Sequence, residues 1–223
     1  MLKLSGFPGG LFACDGGVDS RLNNAFEVVW MDKGERLERP SVVCLGFFDG
    51  VHLGHRKLID TAIEIGRREG LASCVHTFSQ MPAKALHPER DHLELTTLPE
   101  KLRLFQEAGL DAAAISEFNE EMRTMHARDF LENRLIAGLN ARHVVAGYDH
   151  RFGYLGECGP DMLSALCAEL HIGLTVVGPV RLDGGEVISS TAIRRAIREG
   201  DYALAERMLG RPCPEAMRRR DGK

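Results

Sequence analysis

The chain has 223 residues, 44% hydrophobic and 27% charged, and its 28 basic against 32 acidic side chains leave a formal net charge of −4. At roughly 100–200 residues per domain this is one substantial domain, with enough core to stand without disulfides or a structural metal. The charge balance argues against a polyanion as the main partner, since phosphate-backbone binding needs a broad basic surface, but leaves room for a small phosphorylated ligand in a local pocket.

Residues 1–24 are rich in Gly, Asp, Ser and Asn without periodicity and are expected to be a loose extension. Leu11-Phe12-Ala13-Cys14 has the look of a lipoprotein cleavage site, but Gly6-Phe7-Pro8-Gly9-Gly10 interrupts the continuous apolar segment a signal peptide needs. No apolar run reaches the about 18 residues of a membrane span. A cytoplasmic protein with no membrane partner and no nucleic-acid partner is expected. The six cysteines, at 14, 44, 74, 158, 167 and 213, show no C-x-x-C pair, and Cys44 and Cys74 lie in apolar runs, as buried small hydrophobes do.

From residue 26 the pattern alternates. Phe26–Trp30 reads as a short strand and 32–36 as a turn; Ser41–Leu45 is a continuous apolar strand. Residues 54–69 form an amphipathic helix with Leu58, Ile59, Ala62, Ile63 and Gly66 on one face, closed by Arg67-Arg68-Glu69-Gly70. Strands are predicted at 71–78, 111–115, 142–146 and 172–177, and helices at 98–108, 127–137 and 161–170. Residues 79–97 read as a loop. Two short helices follow, near 190–199 and 201–209, separated by Gly200-Asp201 as stop and new cap. Repeated strand–helix units imply an α/β fold, a mostly parallel sheet flanked by helices, in a domain spanning 25–212 before a basic tail at 213–223. In such sheets ligands lie beyond the carboxyl ends of the strands, so chemistry is expected just after a strand.

Gly46-Phe47-Phe48-Asp49-Gly50-Val51-His52-Leu53-Gly54-His55 follows the first apolar strand and opens a helix. Its glycines allow close backbone approach, the helix N-terminus suits phosphate, and His52 and His55, three apart, can face one point. Two imidazoles can donate to phosphate oxygens, and a protonated one could match a triphosphate's charge. A metal set of Asp49, His52 and His55 is the rival, weakened because Asp49-Gly50 is a turn dipeptide.

The H-x-G-H core resembles the signature of the nucleotidyltransferase superfamily, and the full ten residues resemble the bacterial FAD synthetases (FMN adenylyltransferases). Four further segments follow in the family's order. Thr77-Phe78-Ser79-Gln80-Met81-Pro82 is similar to T-F-x-P-H-P, departing at Gln80 and Met81. Leu95-Thr96-Thr97-Leu98 with Glu100-Lys101 is similar to L-T-T-x-x-E-K and reads by itself as a structural helix start. Gly147-Tyr148-Asp149-His150-Arg151-Phe152-Gly153 matches G-x-D/N-x-x-F-G, and Ile188-Ser189-Ser190-Thr191-Ala192-Ile193-Arg194 matches I-S-S-T-x-I-R. Together with Leu209-Gly210-Arg211-Pro212 the likeness covers roughly 41–212.

The resemblance implies a Rossmann-like nucleotidyltransferase fold that transfers AMP from ATP to FMN, releasing FAD and pyrophosphate. It assigns His52, His55, Asp149 and Arg194 to catalysis and Gly46, Phe47, Phe48, Asp49, Gly54, Ser190 and Thr191 to ATP. It assigns Thr77, Phe78, Pro82 and Arg151 to FMN. Mg²⁺ would arrive on the substrate phosphates rather than in a protein cage. The riboflavin kinase domain of the familiar bacterial enzymes has no counterpart after Pro212, so a separate riboflavin kinase is the implied source of FMN. Three alternatives stand beside this: a nucleotidyltransferase with another phosphorylated acceptor, a non-catalytic flavin or nucleotide sensor, and a metal hydrolase.

Overall fold

The computed structural model describes residues 26–82, 93–183 and 185–213. The expected loose extension, the middle of the 79–97 loop and most of the basic tail lie outside them. Among the described residues six strands form one sheet: β1 Glu27–Trp30, β2 Ser41–Leu45, β3 Ala72–Phe78, β4 Ala112–Ser116, β5 Ala141–Gly147 and β6 Gly173–Val177. Their order is β1-β4-β3-β2-β5-β6 and every pairing is parallel, in keeping with the α/β expectation.

Parallel strands buried on both faces need apolar residues at every position rather than at alternate ones. Ser41–Leu45 supplies this: all five residues are buried, with Ser41 Oγ satisfied by the Leu139 carbonyl at 2.6 Å. Two helices cover one face. Helix α1, Leu53–Glu69, buries Leu58, Ile59, Ala62 and Ile63, and α2, Leu98–Glu107, adds Leu104 and Phe105. Gly70 ends α1 in the left-handed conformation at φ 68°, its N–H on the Gly66 carbonyl. Thr97 opens α2 with a full capping box to Glu100.

The other face is covered by α3, Glu120–Thr124, and by a longer helical run. The predicted helix at 127–137 is not uniform: α4 Ala127–Asp129 passes into a π-helical stretch, Phe130–Ile136, and returns as α5, Ala137–Leu139. Phe130, Leu131, Leu135 and Leu139 from this run meet Leu163 and Leu166 of α6, Pro160–Glu169. A third cluster joins α7, Ser190–Arg198, to α8, Tyr202–Leu209, around Ile193, Ile197 and Met208. It includes Cys213, so packing extends one residue into the expected tail. Cys44, Cys74, Cys158 and Cys167 are buried and free, and Cys213 is buried.

The chain steps from β2 to β3 and β4 on one side, while β5 and β6 lie on the other. The strand order therefore reverses between β2 and β5, and a crevice is expected beyond their carboxyl ends. The loops Gly46–His52 and Tyr148–Gly153 flank that point.

Candidate active site

The loop after β2 is bent sharply. Phe48 and Val51 have φ of 56° and 38°, a conformation uncommon for any side chain and strained for a β-branched one. Neighbouring residues hold it there. The buried Phe48 ring lies edge-on to Phe105 at 5.4 Å and to His55 at 5.2 Å. Asp49 Oδ1 accepts from the Leu95 and Thr96 amides at 2.9 and 3.0 Å. The Gly50 amide donates to Thr96 Oγ1 at 2.9 Å.

The loop ends at His52, the N-cap of α1, whose Nδ1 accepts from the His55 amide at 3.3 Å. An Nδ1 that accepts leaves the proton on Nε2, so the His52 ring presents an N–H donor. His55 stacks on it, and His55 Nδ1 is buried without a partner. Burial, then the Arg211 and Arg194 charges, push the His52 pKa down to about 4. Burial, then His52 and Lys101, hold His55 well below the usual imidazole range. Both rings are thus neutral donors at neutral pH, and the imidazolium envisaged from the sequence is not formed in the free protein.

A polar cavity of about 310 Å³ opens beyond β2, β5 and β6. Gly46, Phe47, His52, Gly54, His55, Asp149, Ser190 and Thr191 all line it. The N-termini of α1 and α7 both reach it, the second capped by Ser189 Oγ on the Ala192 amide at 3.1 Å. Two such termini supply unpaired N–H groups and partial positive charge for an anion. The histidine loop and the serine turn touch: Ser190 Oγ donates to the Asp49 carbonyl at 2.8 Å.

A second, apolar cavity of about 570 Å³ lies beside it, lined by Phe78, Pro82, Phe118, Met122, Phe130 and Phe152 among others. Arg151 is on its rim and donates to the Gly156 carbonyl at 3.1 Å. The two cavities share Leu45, Gly46, Phe47 and His150.

Four expected ligand residues stand behind these walls rather than on them. Phe48 is core. Asp49, 2% exposed, spends its carboxylate on Leu95, Thr96 and the Arg194 guanidinium, with which it forms an ion pair. Arg194 also donates through Nε to the Leu93 carbonyl at 2.7 Å. Thr77 Oγ1 donates to the Phe47 carbonyl at 2.9 Å and shapes the loop from beneath. With Asp49 turned this way, Asp49, His52 and His55 do not form one ligand set, and among the described residues no group of three or more His, Cys, Asp or Glu side chains is gathered to hold a metal.

Several wall residues escaped the sequence. His150 lies inside the Gly147–Gly153 motif and could have been named from it. His76 is a buried polar group on the floor of the apolar cavity, its Nε2 2.9 Å from Ser116 Oγ. Phe118, Met122 and Met125 come from a stretch with no local pattern to mark them.

A family model described as FAD synthetase matches residues 35–192. The bifunctional riboflavin kinase/FMN adenylyltransferase of Bacillus subtilis is 36% identical, over 77% of this chain and 54% of its own. That of Listeria monocytogenes is 37% identical, with the same two coverages, and that of Escherichia coli 35%, again over 77% and 54%. The chain spans about half the length of these relatives. Among solved structures, a crystal structure described as a macrolide-efflux protein from Streptococcus pneumoniae superposes with a TM-score of 0.74 at 30% identity, over 85% of this chain and 72% of that one.

Proposed function

The chain belongs to the FAD synthetase family, and from that premise we propose that it transfers AMP from ATP to the phosphate of FMN, giving FAD and pyrophosphate. The observation that carries this reading is the pair of cavities meeting at Phe47: a polar one with two helix N-termini, fit for a triphosphate, and an apolar aromatic one, fit for a flat ring system.

The reaction asks little covalent chemistry of the protein. An FMN phosphate oxygen, ionised near neutral pH, attacks the α-phosphorus of ATP. A new P–O bond forms, the bond to the β-phosphoryl oxygen breaks, and pyrophosphate leaves with its electron pair. Alignment and charge stabilisation then dominate, and alignment alone is worth about 7–11 kcal/mol in favourable cases. His52 and His55 donate hydrogen bonds to the triphosphate, as do the amides opening α1 and α7. Asp49, Arg194 and Thr77 hold the loop that carries them. Asp149 lies near the junction of the two substrates. Phe78, Pro82 and Arg151 face the flavin.

Mg²⁺ would come with ATP. The donor set fits that role: His52, His55 and the N-termini of α1 and α7 offer N–H groups to the phosphates, leaving the ion to phosphate oxygens and water. Bound there, the ion would screen adjacent phosphates and ease pyrophosphate departure. FMN itself is the product of a riboflavin kinase, the other activity in the relatives' names. Among the described residues no helix is long and apolar enough to cross a membrane, and a substrate such as ATP favours the cytoplasm.

The alternative of another phosphorylated acceptor would account for the departures at Gln80 and Met81. Neither lines the apolar cavity, whereas Phe78 and Pro82 do, which supports FMN. The test is the purified chain with ATP, Mg²⁺ and FMN, products separated by chromatography. FAD and pyrophosphate in equal amounts are expected. Binding of both substrates without FAD would sink the proposal.

A further inference from the structure

The reading above has no use for Lys101, yet its side chain stands directly behind Phe47, a residue that both cavities share. The residue is 0% exposed. Its Nζ donates to the Phe47 carbonyl at 3.3 Å and to the Phe78 carbonyl at 3.2 Å, and lies 4.0 Å from the centre of the Phe47 ring. Among the described residues it has no ion pair with a carboxylate. An ammonium group has three N–H bonds. Here two carbonyls and an aromatic face surround it.

The residues it holds belong to both substrates' walls. Phe47 lines the polar and the apolar cavity; Phe78 lines the apolar one. The first follows β2 and the second ends β3. An apolar side chain of the same length would fill the space without the cost of burying a charge. It would leave the Phe78 carbonyl without this donor and the Phe47 ring without its cation.

We propose that Lys101 is a positioning residue for adenylyl transfer, its protonated amine tying the Phe47 and Phe78 carbonyls together and fixing the Phe47 ring at the seam where the two phosphates meet. This rests on the FMN adenylyltransferase reading. In-line attack is sensitive to placement, an error of about 1 Å costing on the order of 10²-fold in rate. Loss of the proton would remove one N–H donor and the attraction of a cation to the ring face.

The proton is held loosely. Burial pulls the Lys101 pKa down to about 8, while Asp49 and Glu94 oppose that shift. The charged and titratable groups facing it are those two carboxylates, from the loop after β2 and the stretch before α2, and His55 of α1. Asp49 is already shared with Arg194, and His55 is neutral well below pH 8.

The test measures kcat/KM for FMN from pH 6 to 10 in the wild type, Lys101→Met and Lys101→Arg, with thermal denaturation and separate binding of FMN and a non-hydrolysable ATP analogue. The wild type is expected to lose activity along an alkaline limb near pH 8 while still folded. Lys101→Met should be about tenfold or more slower at pH 7, as expected of a misplaced reacting group, with substrate affinities nearly unchanged and the limb gone. Lys101→Arg should recover part of the rate and move the limb beyond the range. A folded Lys101→Met protein at the wild-type rate, or one that keeps the limb, overturns the proposal. So does a folded wild type with no limb between pH 7 and 9, a result that needs no variant to fold. A wild type that makes no FAD overturns the underlying reading, an outcome separate from an active wild type indifferent to Lys101.

Discussion

The imidazole rings of His52 and His55 stack with centroids 3.6 Å apart and planes 16° from parallel. Two protonated rings at that distance would repel, and both are in fact held neutral. Their contribution is therefore hydrogen-bond donation rather than charge. His55→Ala is expected to lower kcat by ~10²–10³, the range for removing one donor at a developing charge. His52→Asn keeps a side chain that caps a helix well and donates neutrally, so it should retain more activity than His52→Ala. Steady-state rates at pH 7.5 decide it; equal losses in the two His52 variants would mean that the amide does not replace the imidazole.

Two buried histidines, His52 and His76, and the half-buried His150 make the fold acid-sensitive. Burial, with lesser effects from nearby charges, lowers His52 to about 4, His76 to about 3 and His150 to about 4. Below about pH 6.5, the ordinary imidazole value, the unfolded chain binds protons that the folded chain refuses, so stability falls as pH drops toward these folded-state values. Above pH 6.5 these groups contribute no slope. Each adds at most about 1.4 kcal/mol per pH unit. Denaturation midpoints should decline from pH 6.5 to 5, and His76→Gln should flatten the decline. An unchanged midpoint over that interval would mean that the fold holds none of the three neutral.

The pair of Asp49 with Arg194 predicts a non-additive result. Asp49→Asn and Arg194→Met each strand one partner, and breaking a buried pair costs about 3–5 kcal/mol. The double variant removes both charges and should recover part of that loss. Adenylyl transfer should stay low in all three, because the turn carrying Asp49 also carries His52. A double-mutant cycle read by chemical denaturation and by turnover separates the two effects. Full recovery of turnover in the double variant would show that Arg194 serves only to neutralise Asp49.

The strand–loop–helix order was legible because it is local. Ser41–Leu45 is apolar throughout, and Gly46–His55 announces a loop and a helix start. That chemistry lies just after strands was legible too, but which strands flank the crevice was not, because strand order is set by long-range pairing. Other features depend on distance. Arg194 meets Asp49 across 145 positions, so its spacing within I-S-S-T-x-I-R cannot tell a phosphate ligand from a partner for a buried carboxylate. Lys101 reads as part of a helix start, and only the packing of α2 beneath two strand ends gives it carbonyls to hold. The π-helical turns at Phe130–Ile136 leave no mark in the apolar spacing.

The apolar cavity should bind flavin independently of the nucleotide. The Phe78 ring lies edge-on to Phe118 at 5.5 Å, and Phe130 tilts against Phe152 at 5.2 Å. Such pairs contribute about 0.5–1.5 kcal/mol each beyond their buried area. Phe118→Ala is expected to weaken FMN binding by about tenfold, on that scale, with the ATP analogue unaffected. Flavin fluorescence titration measures the first and calorimetry the second. A parallel loss of nucleotide affinity would show that the two cavities are not separate sites.

Gly54 tests the polar cavity from its wall. A Cβ there would lie 3.1 Å from the His52 ring and 3.4 Å from the Ile188 carbonyl, so it would crowd the capping imidazole. Two effects oppose each other in Gly54→Ala. Alanine gains about 1 kcal/mol over glycine within a helix, while the crowded ring must shift by a few tenths of an ångström. The gain acts on the whole fold and the shift acts on His52. The melting temperature should therefore change little, while affinity for the ATP analogue falls and kcat drops by about tenfold or more, as expected of displaced donors. Calorimetric binding and thermal denaturation on the same preparation separate the two. A variant with unchanged stability and unchanged nucleotide binding would show that the space beside Gly54 is not where the triphosphate sits.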